Sequence, residues 1–329
     1  MSPSRVFKGA FLIALTLGLT SIARGQPAPK GFPSAPVRLV VPYPPGGTVD
    51  ILARVLADGL APPLGQPVIV DNRSGGGGTI AANYVARAKP DGLTLFVSDV
   101  GPIAISRSIY ANLSVDPVTD LAPISIATIS VLNLTVGPNS PAKSLAEFIE
   151  IAKKKPGSIT FASSGVGTIM QMAGELFSME AGVQLLHVPY RGGAAAVTAV
   201  LSGQVDCAFN QLSTTLSYIH GGQMRSLGVT SKKPSPLAPE LPSIASQGLN
   251  NYEVLVWQGV FAPAKTDPAI VAYLNQKIVE VLKNPDVSSR LVKQGFDVVW
   301  DTPEEFSVFV KTEAEKWQRV AKERHIKSE

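Results

Sequence analysis

The chain of 329 residues has one cysteine, Cys207, and three histidines, His187, His220 and His325. A single thiol excludes a disulfide within the chain, and one chain cannot assemble a thiolate metal site from it. The histidines are scattered, so a two-histidine-plus-carboxylate centre would have to draw His187 and His220 from unrelated contexts. There is no G-x-S-x-G elbow, no G-x-G-x-x-G spacing and no P-loop lysine, which leaves hydrolase and nucleotide-binding readings without their motifs. Blocks of basic residues are missing too, apart from Lys153-Lys154-Lys155. The formal charge of +4 falls to about +2 once Arg5 and Lys8 are set aside, and a nucleic-acid role has little electrostatic support. Cofactors and metals are not expected.

Long apolar runs are scarce at the N-terminus as well. The stretch from Gly9 to Leu19 falls short of the roughly 20 residues that a bilayer demands. With Arg5 and Lys8 before it and Ser21-Ile22-Ala23 after it, it reads as a secretory signal over residues 1–23, cleaved after Ala23. An exported chain without disulfides suits a bacterial periplasm, and no lipobox cysteine follows the signal.

What the sequence does have is apolar bulk and punctuation. At 45% apolar residues with 27 prolines and 29 glycines, the chain can bury a large core and is long enough for two lobes. Leu39 to Arg54 (LVVPYPPGGTVDILAR) organises the reading. Leu39, Val40 and Val41 predict a buried strand, and Pro42, Pro44 and Pro45 forbid regular structure after it. Gly46 and Gly47 then supply backbone without Cβ. Thr48 is a candidate cap, and Val49, Leu52, Ala53 and Leu56 recur at helical spacing. Bare N–H groups at such a helix start attract anions.

Val68–Val70 predicts a second strand after a Pro- and Gly-rich linker, and Gly75–Gly78 lead into a helix from Thr79. Leu93–Val97 predicts a third strand, with Ser98–Gly101 as its exit loop. Strand and helix alternate as in an open parallel α/β sheet, whose ligands collect outside the carboxyl ends of the strands. Leu121–Val136 is too long for one ordinary strand and reads as a segment leaving one sheet for another. The theme then repeats. A strand at Ile159–Ala162 runs into Ser163–Thr168 and a helix, and a strand at Leu185–Val188 runs into Tyr190-Arg191. Val205–Phe209 carries Asp206, with Asn210–Thr215 as its exit loop. Val254–Ala262 is a second crossing candidate, expected to bring Trp257 and Phe261 near the cleft. Thr302 and Glu305 predict a capping box opening a final helix to Glu323.

These blocks resemble the extracytoplasmic solute receptors of the tripartite tricarboxylate transporter type, also called the Bordetella uptake family. The likeness covers essentially the whole mature chain. It rests on VRLVVPYPPGGTVDILAR, GQPVIVDNRSGGGGTIAANYVARAKPDG, ITFASSGVGT, LLHVPYRGGAAAV, LSGQVDCAF, RSLGVTS and WQGVFAP in that order. It implies a two-lobe α/β periplasmic binding protein of class II, with crossing strands between the lobes: residues 31–127 in lobe 1, 128–229 in lobe 2, and 230–329 returning to lobe 1. It further implies a monomer that closes on a small organic acid and delivers it to inner-membrane transporter subunits. The acid could be a dicarboxylate, a tricarboxylate, an acidic amino acid or an aromatic acid. A sensor as recipient is the alternative. Carried over residue by residue, the likeness points to Tyr43, Pro44, Gly46, Gly47 and Thr48 as a carboxylate-binding loop, with Asn72, Gly77 and Ser98 beside it. Ser163, Ser164, Gly167, Thr168, Tyr190, Arg191 and Asp206 follow in the second lobe.

The residues themselves weigh against catalysis, since no base is evident beside Ser163 or Ser164. His187 reads as a core histidine, and Asp50 as a first-turn acid that either favours the helix N-terminus or holds its loop by accepting backbone N–H bonds. Arg191 has a guanidinium for a carboxylate but could equally bind Asp206.

Overall fold

The computed structural model describes residues 28–327, so the signal expected at 1–23 lies outside the described residues. Val37–Val41 forms β1, flanked in parallel by β2 (Val68–Asn72) and β3 (Thr94–Asp99). Four of its five residues are buried, as a strand covered on both faces requires: Leu39 and Val41 enter one core, and Val40 enters the other. α1 (Thr48–Leu64) covers the first of these cores and α2 (Thr79–Ala86) the second. α1 runs on through Pro62 and Pro63, a turn beyond what the sequence suggests. Both prolines are exposed in its last turn, where water can satisfy the carbonyls their missing N–H groups leave, and Gly65 ends the helix at φ +64°.

The first sheet continues from β3 to β9 (Leu255–Pro263) and then to β4 (Leu121–Val136), both pairings antiparallel. At ~3.3 Å per residue, β4 spans on the order of 50 Å, enough to serve two sheets. It pairs with β9 from Leu121 to Val131 and, from Leu132 to Val136, with β7 (Cys207–Gln211). On its other edge lie β10 (Asp297–Val298) at Thr128–Ile129 and β8 (Arg225–Val229) at Asn133–Val136. β7 and β6 (Leu185–Pro189) flank β5 (Ile159–Ser163) in parallel, completing the second sheet. The long apolar run is therefore one strand that changes partners between Val131 and Leu132.

The return crossing meets it at the same point. Thr230, fully buried, donates its N–H to the Leu132 carbonyl, and its own carbonyl accepts from the Val254 N–H. Its hydroxyl accepts from the Leu132 N–H at 3.0 Å and donates to the Val254 carbonyl at 2.8 Å. One side chain thus ties both crossing segments together.

Trp257 and Phe261 differ from expectation. Both are fully buried, and Phe306 packs on both rings, edge-on to Trp257. The Trp257 indole N–H donates to Glu313, so these rings anchor α10 (Pro303–Glu323) rather than border a cleft. The capping box at Thr302 and Glu305 is present. Near its other end α10 reaches α5 (Ile169–Ala181) of the second lobe through Arg324–Glu175 at 2.7 Å and Arg319–Glu180 at 3.3 Å.

Thr230→Val keeps the shape but leaves the Leu132 N–H and the Val254 carbonyl short of partners. The expected cost is about 2 kcal/mol, read as a lower urea midpoint at unchanged m-value. An unchanged midpoint would show that Thr230 does not hold the crossing.

Candidate functional site

The carboxyl ends of β1, β2, β5, β6 and β7 each lead into a helix: α1, α2, α5, α6 (Gly193–Leu201) and α7 (Leu212–His220). Among the described residues no side chain is bonded to the first-turn N–H groups of these five. Four helices that start elsewhere are all capped: α4 (Leu145–Lys154) by Ser144, α8 (Pro268–Lys283) by Asp267, α9 (Pro285–Val292) by Asn284 and α10 by Thr302. These four side chains satisfy first-turn donors, whereas at the strand ends no cap side chain does so, although the Thr79 N–H of α2 donates to the Gly76 carbonyl; α3 (Ser106–Ile109), which continues the turn after β3, has no cap side chain either.

A cavity of about 300 Å³ lies at this edge between the lobes. Tyr43, Gly77, Asp99, Gly101, Ser106, Ile109 and Tyr110 form its first-lobe wall, and Ser164 with Val166–Ile169 the opposite one. The lobes touch there. A Cβ on Gly167, which sits at φ +75°, would come within 2.3 Å of the Ile109 side chain. Gly77, at φ +61°, backs onto the Tyr110 hydroxyl in the same way.

Of the sequence-predicted residues, Tyr43, Gly77, Ser164, Gly167 and Thr168 line this cavity. Pro44, Gly46, Gly47 and Thr48 follow Tyr43 in the chain and are exposed, outside the cavity wall. Gly47, not Thr48, is the N-cap of α1, and Thr48 is its first helical residue. Asp50, 2% exposed, gives this loop its form. Its carboxylate accepts from the Gly46 N–H at 2.8 Å, from Arg54 at 2.8 and 3.1 Å and from the Asn72 amide at 2.9 Å. Burial opposes its ionisation, but the bonds from Arg54, Gly46 and Asn72 outweigh it and hold the carboxyl below the ordinary range. Asn72 also donates to the Tyr43 carbonyl, so both its known bonds brace the loop.

Ser98 lies inside β3, not in an exit loop, and its buried hydroxyl has no partner among the described residues. Ser163 is buried at the end of β5, where its hydroxyl accepts from the Gly165 N–H and lies 2.6 Å from His187 Nε2. A base does therefore stand beside Ser163, contrary to the sequence reading. Ser163 is buried and does not line the cavity, and among the described residues no carboxylate is bonded to His187, so the pair lacks the access and the orienting group of a nucleophile. Burial lowers the His187 pKa to about 4, which keeps the ring neutral.

Tyr190 is bonded to Ser163 through its backbone and packs on the core behind α6, at the cleft edge but outside the cavity. Arg191 is exposed beside it and makes no ion pair among the described residues, with Asp206 or otherwise. Asp206 must be corrected. It precedes β7 at the end away from the cleft, exposed, and accepts from the Thr160 N–H and hydroxyl, each at 2.7 Å. The strand begins at Cys207, whose buried thiol is pushed up in pKa. The expected exit loop after β7 is absent, since α7 starts directly at Leu212.

Asp99, unremarked in the sequence, closes β3 and reaches the cavity. Its Oδ1 accepts from the Tyr43 hydroxyl at 3.0 Å and the Gly101 N–H at 3.1 Å. Burial raises its pKa to about 6, although both bonds pull the other way. The strand expected at Leu93–Val97 runs two residues further, which makes Asp99 its last residue rather than part of the exit loop.

Two α/β sheets joined by a shared strand, with a cavity between open helix starts, define a two-lobe solute-binding protein of the periplasmic type. The family model for the tripartite tricarboxylate transporter family receptor matches residues 52–326, and the chain belongs to that family. The UPF0065 protein in the tcbD-tcbE intergenic region of Pseudomonas sp. strain P51 is 36% identical over 94% of this chain and 92% of its own length. Among solved structures, Rpa4515 of R. palustris with adipate shares 33% identity at a TM-score of 0.75, covering 88% of this chain and 97% of that one. MatC of Rhodopseudomonas palustris with bound malate shares 30% at 0.73, covering 88% and 99%. The family is one of solute receptors, not enzymes. Among the described residues no helix is long and apolar enough to cross a membrane, and no cluster of His, Cys, Asp and Glu could hold a metal ion.

Because the folded pKa of Asp99 lies above its ordinary value, the ionised carboxylate opposes folding above about pH 6, and the penalty fades as pH falls toward 4. Asp99→Asn keeps the acceptor for Tyr43 and Gly101. It should stabilise the protein by up to about 3 kcal/mol at pH 8 and about 1 at pH 4.5. Thermal melts at the two pH values check this, and a gain independent of pH would refute the buried-charge account.

Proposed function

We propose that this receptor binds a small carboxylate-bearing solute in the cavity between its lobes and delivers it, in the periplasm, to the membrane subunits of a tripartite transporter. The observation that carries the proposal is the open start of α5. The N–H groups of Ile169, Met170 and Gln171 have no partner among the described residues, and Thr168 and Ile169 line the cavity. Oriented amides of this kind hold a carboxylate without a counter-cation, in keeping with a cavity lined by no lysine, arginine or histidine. The Thr168 hydroxyl donates to the Gly165 carbonyl, which fixes the loop that presents these donors.

The start of α1 supplies a second set. Its Thr48, Val49 and Asp50 N–H groups are equally open, and Asp50 holds the preceding loop from behind. Adipate and malate in two related receptors support a carboxylate as the shared element. The lobes would close about the point where β4 changes partners and Thr230 joins the two crossings, near the expected boundaries at 127/128 and 229/230. Gly167 against Ile109 leaves room for closure only without a side chain. Removal of the signal would free the chain as a periplasmic monomer.

Ile169 is the first helical residue of α5, and Thr168 before it is extended, so proline fits there while deleting one N–H. Ile169→Pro should weaken dicarboxylate binding by calorimetry about tenfold or more, while Ile169→Val, which keeps the amide, changes it little. Equal affinities for the two variants would remove the amide from the site.

A further inference from the structure

The amides of α5 account for one end of a solute, and they face a wall that carries a charge of its own. Among the described residues that line the cavity, Asp99 alone has an acidic or basic side chain of the Asp, Glu, Lys or Arg kind. Its two oxygens are unequal. Oδ1 is held by the Tyr43 hydroxyl and the Gly101 N–H, whereas Oδ2 has no donor among the described residues. The carboxylate is thus fixed in place by one oxygen, which leaves the other as an acceptor on a residue that lines the cavity. The titratable side chains beside it in the cavity wall are the phenols Tyr43 and Tyr110, and among the described residues no cationic side chain lines the cavity to balance the charge. Burial holds Asp99 at about 6, which leaves it mostly ionised at neutral pH.

This arrangement suits a plain dicarboxylate poorly. With one carboxylate on the α5 amides, a small solute in about 300 Å³ brings its remaining groups close to Asp99. A second carboxylate there would meet a like charge in a partly desolvated site, and an aliphatic segment would leave Oδ2 unpaired. An ammonium group would satisfy both the charge and the open acceptor.

We infer that Asp99 is a specificity-determining residue that selects a solute carrying an ammonium group beside its carboxylate, an amino-acid-like zwitterion in preference to the matching plain acid. The inference rests on the carboxylate reading of the cavity and adds the chemistry of the solute's other end. The carboxylate is bound through the second lobe and the ammonium through the first, so only a solute with both groups links the two walls.

The test is calorimetry on refolded, ligand-stripped protein with matched pairs: succinate against aspartate, glutarate against glutamate, adipate against 2-aminoadipate, with malate as the hydroxyl analogue. In the wild type at least one amino member should bind about tenfold or more tightly than its plain partner. Asp99→Asn keeps the bonds to Tyr43 and Gly101 and should bring that ratio to within about twofold, with the plain acid binding as well as before or better. The inference is overturned if the plain acids or malate bind as tightly as the amino acids to the wild type, or if the amino advantage survives in Asp99→Asn. Should the plain acids bind with no amino advantage, the inference falls and the carboxylate reading stands. If no acid of either kind binds, both fall together.

Discussion

Backbone N–H groups at the start of a helix must find a partner, and where this chain supplies one and where it does not divides the molecule. Ser144, Asp267, Asn284 and Thr302 close the helices that begin away from the cleft. Five helices that follow parallel strands have Gly47, Gly78, Thr168, Gly192 and Gln211 as their N-caps, none of which bonds the first turn through a side chain. The parallel sheets bring these open ends to one edge, and two facing sheets turn that edge into a cleft. A solute receptor built this way can hold an anion with few cations, and among the described residues none lines the cavity.

Holding donors open requires rigid support behind them. Asp50 accepts four bonds beneath the loop before α1, and Ser163 with His187 and Gly165 braces the loop before α5. Asp50 and Ser163 are buried, so each must be paired within the protein, and neither lines the cavity. The two loops are joined through β4, whose sixteen residues belong to both sheets, with Thr230 pinning the return segment at the point of exchange. Contacts of α10 with α5 through Arg324 and Arg319 add a link outside the cleft.

Much of this was legible in the sequence because it is periodic or punctuated. The run Leu39–Val41 followed by three prolines and two glycines could only be a strand, a stiff turn and a helix start, and the length of Leu121–Val136 betrayed a shared strand. Local patterns gave out where register or distant contacts decide. Asp206 looked like a buried site residue because apolar neighbours follow it, yet the strand starts one residue later and leaves Asp206 at the wrong end, paired with Thr160. Ser98 and Asp99 differ by one position along β3, and the alternation of the strand sends one into the interior and the other to the cavity. His187 meets Ser163 only because β5 and β6 pair in parallel with Ser163 opposite Pro189, a register no sequence window reveals.

The central claim, that open amides at the start of α5 grip the solute, is tested most directly by amide hydrogen exchange at Ile169, Met170 and Gln171 with and without a saturating carboxylate solute. Exchange at these three positions should slow on binding, while the first turn of α10, already capped by Thr302, stays unchanged. Unaltered exchange at Ile169–Gln171 in a demonstrably liganded protein would contradict the account.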